Sequence, residues 1–494
     1  MVAYCNFSGP STSGKSPSMA RLNPKFLDPL LCGFDVAIIN LLQKLRVKTS
    51  KVQLHLFAHG RVMVMKRVSW DTMMKQGPLH FAPTSAQYPC YNAIKTLKAP
   101  VTLDKCLEAI KTCVFVASNY PVILTLEDRL TPDLQAKVAK MVTETFGNVL
   151  YKYTGSDLMK DFPSPESLKR RIVVSTKPPK EYLDTPRSTT GQNESSLNVK
   201  ASSEEDDENK DEDFQDEEEI VKQNVESEYK QLIAIHAKKL NGGVKDWLQD
   251  DPTAAKRISL RETRLEKAIE NHAKDVIRFT QRNLLRIFPK GSRVDSSNYN
   301  PLVGWTHGAQ MVAFNMQTHG RSLWLMQGLF RANGGCGYVK KPDLYLKNGP
   351  DDKIFEPKST RPVKKTLKVK EYMGDGWHLD FKRTHFDIYS PPDFYVKVGI
   401  AGVHADSTMK KTKIIQDAWT PKWEEEFEFP LTVPELALLR VEVHEYDMTE
   451  KDDFGGQTCL PVFELRSGIR AVPLHDQKGD KYKSVKLLMR FEFL

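Results

Sequence analysis

The clearest pattern along the chain is an alternation of apolar and polar residues near its C-terminus. KTLKVKEYM, DFYVKVGIA, EEFEFPL, LLRVEVHEYD and SVKLLMRFEFL alternate in this way and are separated by turns at near-regular spacing. A period of two is typical of half-buried β-strands, and several short strands at even spacing indicate an all-β sandwich. The pattern therefore predicts a sandwich over residues 365–494.

Upstream of that region, apolar residues recur at helical spacing between short apolar runs. VTLDKCLEAIKTCVFVAS predicts a helix, YPVILTLED predicts a buried strand ending in acids, and Thr131–Phe146 predicts an amphipathic helix with Pro132 in its first turn. SLRETRLEKAIENHAKDVIRFTQRNLLRIFP predicts a long helix and a strand, QMVAFNMQ a strand, and SLWLMQGLF a further helix. This order favours βα units around a parallel sheet. In residues 1–90, KVQLHLFAHGRVMVMKRV suggests one or two strands.

Composition and charge narrow the class of protein. The chain of 494 residues has no run of 18 apolar residues, no apolar segment at its N-terminus and seven irregularly spaced cysteines, which favours a cytoplasmic protein. Glu204–Glu219 carries a net charge of −11 against +9 for the whole chain, so the remainder carries about +20. Such a basic body is attracted to anionic lipid or nucleic acid, but no basic motif interleaved with aromatic residues supports a nucleic-acid partner.

The acidic stretch lies in a segment, residues 187–225, that is rich in Ser, Asn, Asp and Glu and poor in core-forming residues. A segment of this composition cannot bury enough apolar surface to offset its ordering entropy, so we predict a disordered linker. Two interpretations stay open. The linker is a solvated connection between two halves, or its negative charge folds back over a basic, lipid-facing surface.

Long segments of the chain resemble one known enzyme family. SSNYNPLVGWTHGAQMVAFNMQTHGRSLWLMQGLFRANGGCGYVKKPD resembles the Y half of the catalytic barrel in phosphoinositide-specific phospholipases C, with the plant enzymes most similar. VFVASNYPVILTLEDRLTPDLQAKVAKMVTETFG and PSPESLKRRIVVSTKPPKEYL resemble the second part of the X half, and the segment ending VKLLMRFEFL resembles the C2 domain. The resemblance implies a multidomain protein with an α/β TIM-like barrel, split into X and Y halves with the X half incomplete, followed by an all-β C2 sandwich.

The predicted divisions of the chain follow from that resemblance. They are a divergent N-terminal segment at 1–90, a partial X region at 91–186, the acidic linker at 187–225, the Y region at 226–346, a second linker at 347–364 and the C2 domain at 365–494.

The resemblance also implies a reaction, the hydrolysis of phosphatidylinositol 4,5-bisphosphate to diacylglycerol and inositol trisphosphate in calcium-dependent signalling. Glu127, in LTLED, matches a calcium-ligand position of the family; without the resemblance it would be read as an acid capping a strand-to-helix turn. Lys177, Ser259 and Arg286 match contacts to the head-group phosphates, and Phe288 stands in place of the usual tyrosine beneath the inositol ring.

The chain departs from the family where proton transfer takes place. It has neither a GHNSY-like nor an ELDxW-like motif, and aligning TLKAPV puts Ala93 where the second catalytic histidine is expected. His59 is better read as a turn histidine than as a substitute. Loss of one positioned acid or base commonly costs roughly 100- to 10,000-fold in rate, so the sequence identifies no catalytic residue and predicts very slow turnover. Residues 1–90 either supply strands of their own to the barrel or come from an alternative first exon or a misjoined gene model.

The predicted sandwich carries acids in two loops. They are Asp387, Asp393, Glu445, Asp447 and Asp453. Acids clustered at one end of a sandwich repel one another unless a hard cation such as Ca²⁺ bridges them, although solvated turn acids are the simpler alternative.

STMKKTKII adds Lys410, Lys411 and Lys413. This basic patch is either an ordinary solvated face or a contact with an anionic phospholipid membrane, at about 1 kcal/mol per charge.

Two hypotheses therefore remain. The chain is a phosphoinositide phospholipase C, peripheral on the inner face of the plasma membrane, with Ca²⁺ as cofactor and a phosphoinositide as substrate. Alternatively, it is a catalytically dead C2 protein that binds calcium and phospholipid. No obligate protein partner is evident from the sequence.

Overall fold

Two bodies, a parallel βα barrel and an antiparallel sandwich, make up the computed structural model. It describes residues 103–126, 134–153, 155, 159–176, 228–238, 240, 242–249, 254–293, 295–316, 318–346, 353–382, 384–387, 390–448 and 451–494, and the backbone of 30–32, 58–59, 62–65, 89–90, 101–102 and 132–133. The predicted linker at 187–225 lies outside the described residues, as do Ala93, Glu127 and Lys177.

The first body is built from short strands and intervening helices. Its strands are β1 Leu30–Cys32, β2 Ala58–His59, β3 Val62–Met65, β4 Pro89–Cys90, β5 Val101–Thr102, β6 Val122–Leu126, β7 Leu150–Tyr151, β8 Ile172–Thr176, β9 Ile233–His236, β10 Arg257–Arg261, β11 Leu284–Phe288, β12 Met311–Val312 and β13 Tyr338–Lys340. Its helices are α1 Leu103–Cys113, α2 Pro132–Phe146, α3 Val244–Leu248, α4 Glu262–Arg282, α5 Leu302–Trp305 and α6 Arg321–Arg331.

The barrel strands are parallel and neighbour one another in chain order. Strand β3 pairs with β6, β6 with β8 and β8 with β9, and β10 pairs with β11 and β11 with β12. A parallel bridge from Ala237 to Arg257 joins the two groups. The parallel sheet is therefore confirmed, and residues 1–90 contain strands, as the alternating pattern in that region predicted.

Side chains on these strands alternate between the barrel interior and the covering helices. Inside, Ile123, Val173, Ile235 and Met311 form a small apolar cluster. Outside, the intervening positions pack against helices, as Leu124 does with Leu107 of α1 and Val142 of α2 in one buried cluster. This division is the one that a βα barrel requires, and it places the polar interior side chains toward the ends of the strands.

The second body is a curled antiparallel sheet. Its elements are β14 Lys365–Asp375, α7 Trp377–Asp380, β15 Phe394–Ala401, β16 Thr408–Lys411, β17 Lys422–Leu431, β18 Leu438–Glu445, β19 Asp453–Pro461, β20 Gly468–His475 and β21 Lys481–Phe493. The strand order is β16-β15-β18-β19-β20-β21-β14-β17. One residue pair, Gln457 with His475, joins β19 to β20, so two four-stranded layers enclose the core. All five predicted strands are confirmed, whereas β16, β19 and β20 were not predicted.

Helix α6 of the barrel lies directly on strand β19 of the sandwich. Trp324 donates its indole N–H to the carbonyl of Gln477 at 2.8 Å, and Gln327 donates to the carbonyl of Lys478 at 2.8 Å. A single buried cluster runs from barrel residues such as Leu325 and Leu329 into Leu438 and Cys459 of the sandwich. The two bodies therefore share one hydrophobic core.

A glycine makes this contact possible. A Cβ at Gly328 would lie 2.4 Å from the Cβ of Cys459 and 2.6 Å from its carbonyl oxygen, well inside van der Waals contact.

We expect Gly328→Ala to lower the free energy of unfolding by about 1–3 kcal/mol, the usual cost of overpacking. A decrease in the free energy of unfolding would be informative, because alanine in a helix is otherwise favoured over glycine by about 1 kcal/mol. Gly291→Ala is the matched control, since a Cβ there meets nothing within 4 Å. Denaturant unfolding of both variants checks this, and equal stabilities would contradict the close contact.

One carboxyl group lies in the sandwich core without a partner. Glu371 on β14 is 0% exposed, and within the described residues neither of its carboxyl oxygens has a hydrogen-bond partner. Burial raises its pKa well above the ordinary value, so the group is neutral when the fold is intact.

A raised pKa in the folded state has a definite consequence for stability. Below the unfolded-state pKa of Glu371 both states are protonated, and above it ionisation favours the unfolded chain, so stability falls as pH rises. We expect Glu371→Gln to remove this fall, because glutamine carries no ionisable carboxyl group. Thermal unfolding from pH 5 to pH 8 measures it; parallel curves for the two proteins would contradict the assignment.

Candidate functional site

Two strands of the Y half bring the predicted head-group residues together. Strands β10 and β11 pair in parallel, with Ser259 opposite Arg286 and Arg261 opposite Phe288. Their neighbours Ile258, Leu260, Leu285 and Ile287 lie in the core beneath the helices. By alternation, Ser259, Arg286 and Phe288 face the barrel interior.

Arg286 is held inside the barrel rather than on its surface. Its side chain is 2% exposed, and its guanidinium carbon lies 5.3 Å from the ring centroid of Phe288. A guanidinium beside an aromatic face at the carboxyl end of a barrel strand can bind an anionic oxygen while the ring supports a sugar-like face. Roles for Ser259, Arg286 and Phe288 at the head group remain predictions.

The loop that follows β11 is fixed by a buried ion pair that the sequence did not reveal. Glu262, directly after β10, accepts from Nε of Arg293 at 2.6 Å, from its Nη2 at 2.7 Å and from the backbone N–H of Lys290 at 2.8 Å. Burial acts to raise the pKa of Glu262, but the Arg293 and Lys290 contacts outweigh it and hold the pKa below its usual range. The pair therefore ties the loop after β11 to the end of β10.

The contacts of the buried histidine His307 indicate a structural role. His307 is 5% exposed, and its Nδ1 lies 2.9 Å from the carbonyl oxygen of Val303. Burial lowers its pKa, so it is neutral at physiological pH.

The acids of the sandwich lie where its strands end. Asp387 and Asp393 precede β15, Glu445 ends β18 and Asp453 begins β19, with Glu445 paired to Asp453 and to Phe394 across the sheet. Asp393 also accepts the backbone N–H of Asp417 at 2.8 Å, which adds the 412–421 loop to this end. We call this the acidic end of the sandwich.

Glu445 is the most constrained of these acids. It is 3% exposed, and among the described residues its Oε1 has no hydrogen-bond partner. Burial, and then the negative charges of Asp387 and Asp453, raise its pKa to about 7; Asp447 adds to the effect. The donor chemistry, several carboxylates with one oxygen unsatisfied, suits a hard cation. Within the described residues, however, no three His, Cys, Asp or Glu side chains converge closely enough to hold a metal.

The predicted basic patch lies on the edge strand β16, whose four residues are all exposed. The Nζ of Lys411 lies 3.6 Å from the ring centroid of Tyr395, and the Nζ of Lys410 donates to the carbonyl of Glu428 at 2.9 Å. Lys413 is exposed, and its backbone N–H donates to Glu425 at 2.8 Å. Next to the acidic end, Met448 projects with 85% of its surface exposed.

The acidic end and the head-group residues lie on the same side of the molecule. A barrel helix begins at the face where the strands end, and Arg321, the first residue of α6, lies with its Nε 3.6 Å from Oε1 of Glu442, three residues before Glu445. None of the described helices is long and apolar enough to cross a bilayer.

A barrel of this kind joined to a sandwich with acid-rich loops defines a class of lipid-directed phosphodiesterases. Family models match in the same order: the X domain of phosphatidylinositol-specific phospholipase C at 80–178, its Y domain at 228–344 and a C2 domain at 365–476. "Phosphoinositide phospholipase C 2" of Arabidopsis thaliana is 61% identical over 415 residues, covering 81% of this chain and 71% of that protein. The chain belongs to the phosphoinositide phospholipase C family.

More distant relatives agree. Human "1-phosphatidylinositol 4,5-bisphosphate phosphodiesterase delta-1" is 30% identical over 411 residues, covering 80% of this chain and 52% of that protein. The crystal structure of S. officinalis PLC21 superposes with a TM-score of 0.63 at 22% identity, covering 82% of this chain and 49% of that one. The L. pealei PLC21 structure gives 0.66 at 20% identity, covering 95% and 55%. These structures share the fold, so the predicted barrel followed by a C2 sandwich is confirmed.

Proposed function

We propose that this protein docks on anionic phospholipid through the acidic end of its C2 domain when calcium is present, and there binds a phosphoinositide head group in its barrel. The observation that carries the proposal is Glu445, a buried carboxyl group with an unsatisfied oxygen and three aspartates acting on its pKa. Burying such a carboxyl group without a compensating partner costs free energy, and a bound cation would offset that cost.

The residues that would hold calcium are the five acids of that end. They are Asp387, Asp393, Glu445, Asp447 and Asp453. Bound calcium would supply positive charge that neutralises the carboxylates and attracts lipid phosphate. The protein's contribution is to bring two loops together, since the β15–β18 ladder pairs Phe394, directly after Asp393, with Glu445.

The membrane surface we propose is the inner face of the plasma membrane, where anionic lipids concentrate. Lys410, Lys411 and Lys413 supply positive charge beside the acidic end, and the exposed side chain of Met448 suits insertion between head groups. The shared orientation of this end and the barrel face supports simultaneous contact with one bilayer.

In the barrel, we propose that Arg286 and Ser259 bind phosphate oxygens and that Phe288 packs against the inositol ring. Lys177 would add a second cation at the phosphates, and Glu127 a calcium ligand. Of these, Arg286 has the strongest physical support, because its guanidinium is buried beside an aromatic ring.

Hydrolysis of phosphatidylinositol 4,5-bisphosphate to diacylglycerol and inositol trisphosphate is the activity that family membership supports. One observation favours a second function, that of a non-catalytic lipid-binding protein: Ala93 stands where the resemblance calls for a histidine. Alanine can neither donate nor accept a proton, so binding is retained where the chemistry is lost.

We expect the chain to bind vesicles of phosphatidylcholine and phosphatidylserine in micromolar calcium, and to be released by chelator and by high salt. Asp447→Asn combined with Asp453→Asn should abolish the calcium dependence in a sedimentation assay. Glu435→Gln with Glu492→Gln, two partly exposed carboxyls at the opposite end of the sandwich, is the matched control. Binding that survives chelator, or the aspartate changes, would refute calcium-driven docking.

We expect release of inositol trisphosphate from vesicles containing phosphatidylinositol 4,5-bisphosphate to be roughly 100- to 10,000-fold slower than for the Arabidopsis relative assayed in parallel, the cost of a missing acid or base. Glu127→Ala serves as the control for background hydrolysis. Turnover comparable to the relative, and abolished by Glu127→Ala, would exclude the non-catalytic interpretation.

A further inference from the structure

A row of aromatic side chains crosses the sandwich next to the acidic end. Tyr395 on β15 pairs with His444 on β18, which pairs with Phe454 on β19. The rings of Tyr395 and His444 are stacked with centroids 5.6 Å apart, and those of His444 and Phe454 meet edge to face at 5.9 Å. The next row along the same strands contains Glu445 and Asp453. The rings are thus sequence neighbours of two of the proposed calcium ligands.

The barrel extends this row from outside the sandwich. Trp324 of α6 stacks on Phe454 with centroids 5.4 Å apart and an interplanar angle of 28°. Its indole N–H donates to the carbonyl of Gln477, in the β20–β21 turn at the same end of the sandwich. Trp324 is 7% exposed, so the contact is buried between the two bodies.

The other end of the row contacts the lipid-facing groups. The hydroxyl of Tyr395 hydrogen-bonds to Oδ2 of Asp452, which directly precedes Asp453. The Nζ of Lys411 lies over the face of the same ring. Four rings therefore connect a barrel helix to one acid-bearing loop and to the basic patch.

A charged contact runs parallel to the rings. The Nε of Arg321 on α6 lies 3.6 Å from Glu442, and the same carboxylate accepts from Arg440 at 2.5 Å. Glu442 is 1% exposed and lies three residues before Glu445 on β18. The first turns of α6 thus hold both strands that carry Glu445 and Asp453.

From this arrangement we infer that Trp324 is a positioning residue for the calcium end of the C2 domain. By stacking on Phe454, the barrel helix fixes the strand ends that carry Glu445 and Asp453 before any ion arrives. The inference rests on the proposed calcium-dependent docking. Its physical basis is preorganisation: ligands already held in place lose less conformational freedom on binding. The sandwich alone would be a weaker calcium module than the whole chain.

The test is a calcium titration of vesicle binding by the full chain, with vesicles of phosphatidylcholine and phosphatidylserine. Trp324→Leu should raise the half-maximal calcium concentration by about 2- to 10-fold, the range that an aromatic pair supports. Trp324→Phe, which keeps a ring against Phe454, should recover most of the shift. Phe454→Leu should produce a similar shift, and combining it with Trp324→Leu should add little, because both remove one stack.

Glu464→Ala is the control for mere loosening of the interface. Its carboxylate accepts the backbone N–H of Asn333 at 2.7 Å, at the end of the interface away from the acids. We expect it to lower thermal stability without moving the calcium midpoint.

The possible outcomes distinguish the proposed calcium-dependent docking from the positioning role of Trp324. Wild-type protein that binds vesicles without regard to calcium overturns the proposed docking and this inference with it. Calcium-dependent wild-type binding with an unchanged midpoint in Trp324→Leu and Phe454→Leu overturns the inference alone. Equal midpoint shifts in Glu464→Ala and Trp324→Leu also overturn it, because the effect would then follow general loosening. If Trp324→Leu does not fold, the Phe454→Leu midpoint decides.

Discussion

The close approach of helix α6 to strand β19 is the contact on which the rest of the molecule depends. It requires a residue without a side chain at Gly328, because the backbone of Cys459 occupies the space that a Cβ would fill. With that space closed, Leu325, Leu329 and Cys459 become one core, and the barrel and sandwich cannot move independently without exposing it. The relative orientation of the head-group residues and the acidic end follows from this packing together with the polar contacts of Trp324, Gln327 and Arg321 across the interface.

The surroundings of two buried carboxyl groups, Glu371 and Glu445, indicate a structural role for the first and a binding role for the second. Glu371 and Glu445 are both buried, and burial raises the pKa of each. For Glu371 desolvation is the only cause, so its effect is confined to the stability of the core. For Glu445 the charges of Asp387, Asp453 and Asp447 add to desolvation. A cation would relieve that repulsion, whereas none of these charges acts on Glu371, so of these two carboxyl groups it is Glu445 that has a physical reason to bind one.

Local pattern was sufficient to predict much of this fold. Helix α4 and strand β11 follow from helical periodicity ending in an apolar run, and β14, β15, β17, β18 and β21 follow from alternation. The sandwich strands that were missed lack such a pattern: β16 is exposed throughout, β19 contains Gly455 and Gly456, and β20 contains Pro473. At the site, spacing along the chain indicated the acids of the two loops. It could not indicate the Glu262–Arg293 pair or the Trp324–Phe454 stack, because these join residues about 30 and 130 positions apart.

Lipid binding and lipid hydrolysis depend on different residues of this chain. Holding a head group needs a fixed cation and a ring, and Arg286 and Phe288 lie on adjacent positions of one interior strand face, 5.3 Å apart. The proposed docking needs acids at one end of the sandwich and nearby lysines, and both belong to the strand ends and loops of the sandwich. Proton transfer is expected from groups of the X half, and the resemblance aligns Ala93 with one of the histidines that would supply it. The contacts that position Arg286 and Glu445 join residues of the Y half and of the sandwich, so the proposed binding functions do not depend on a proton-transfer group.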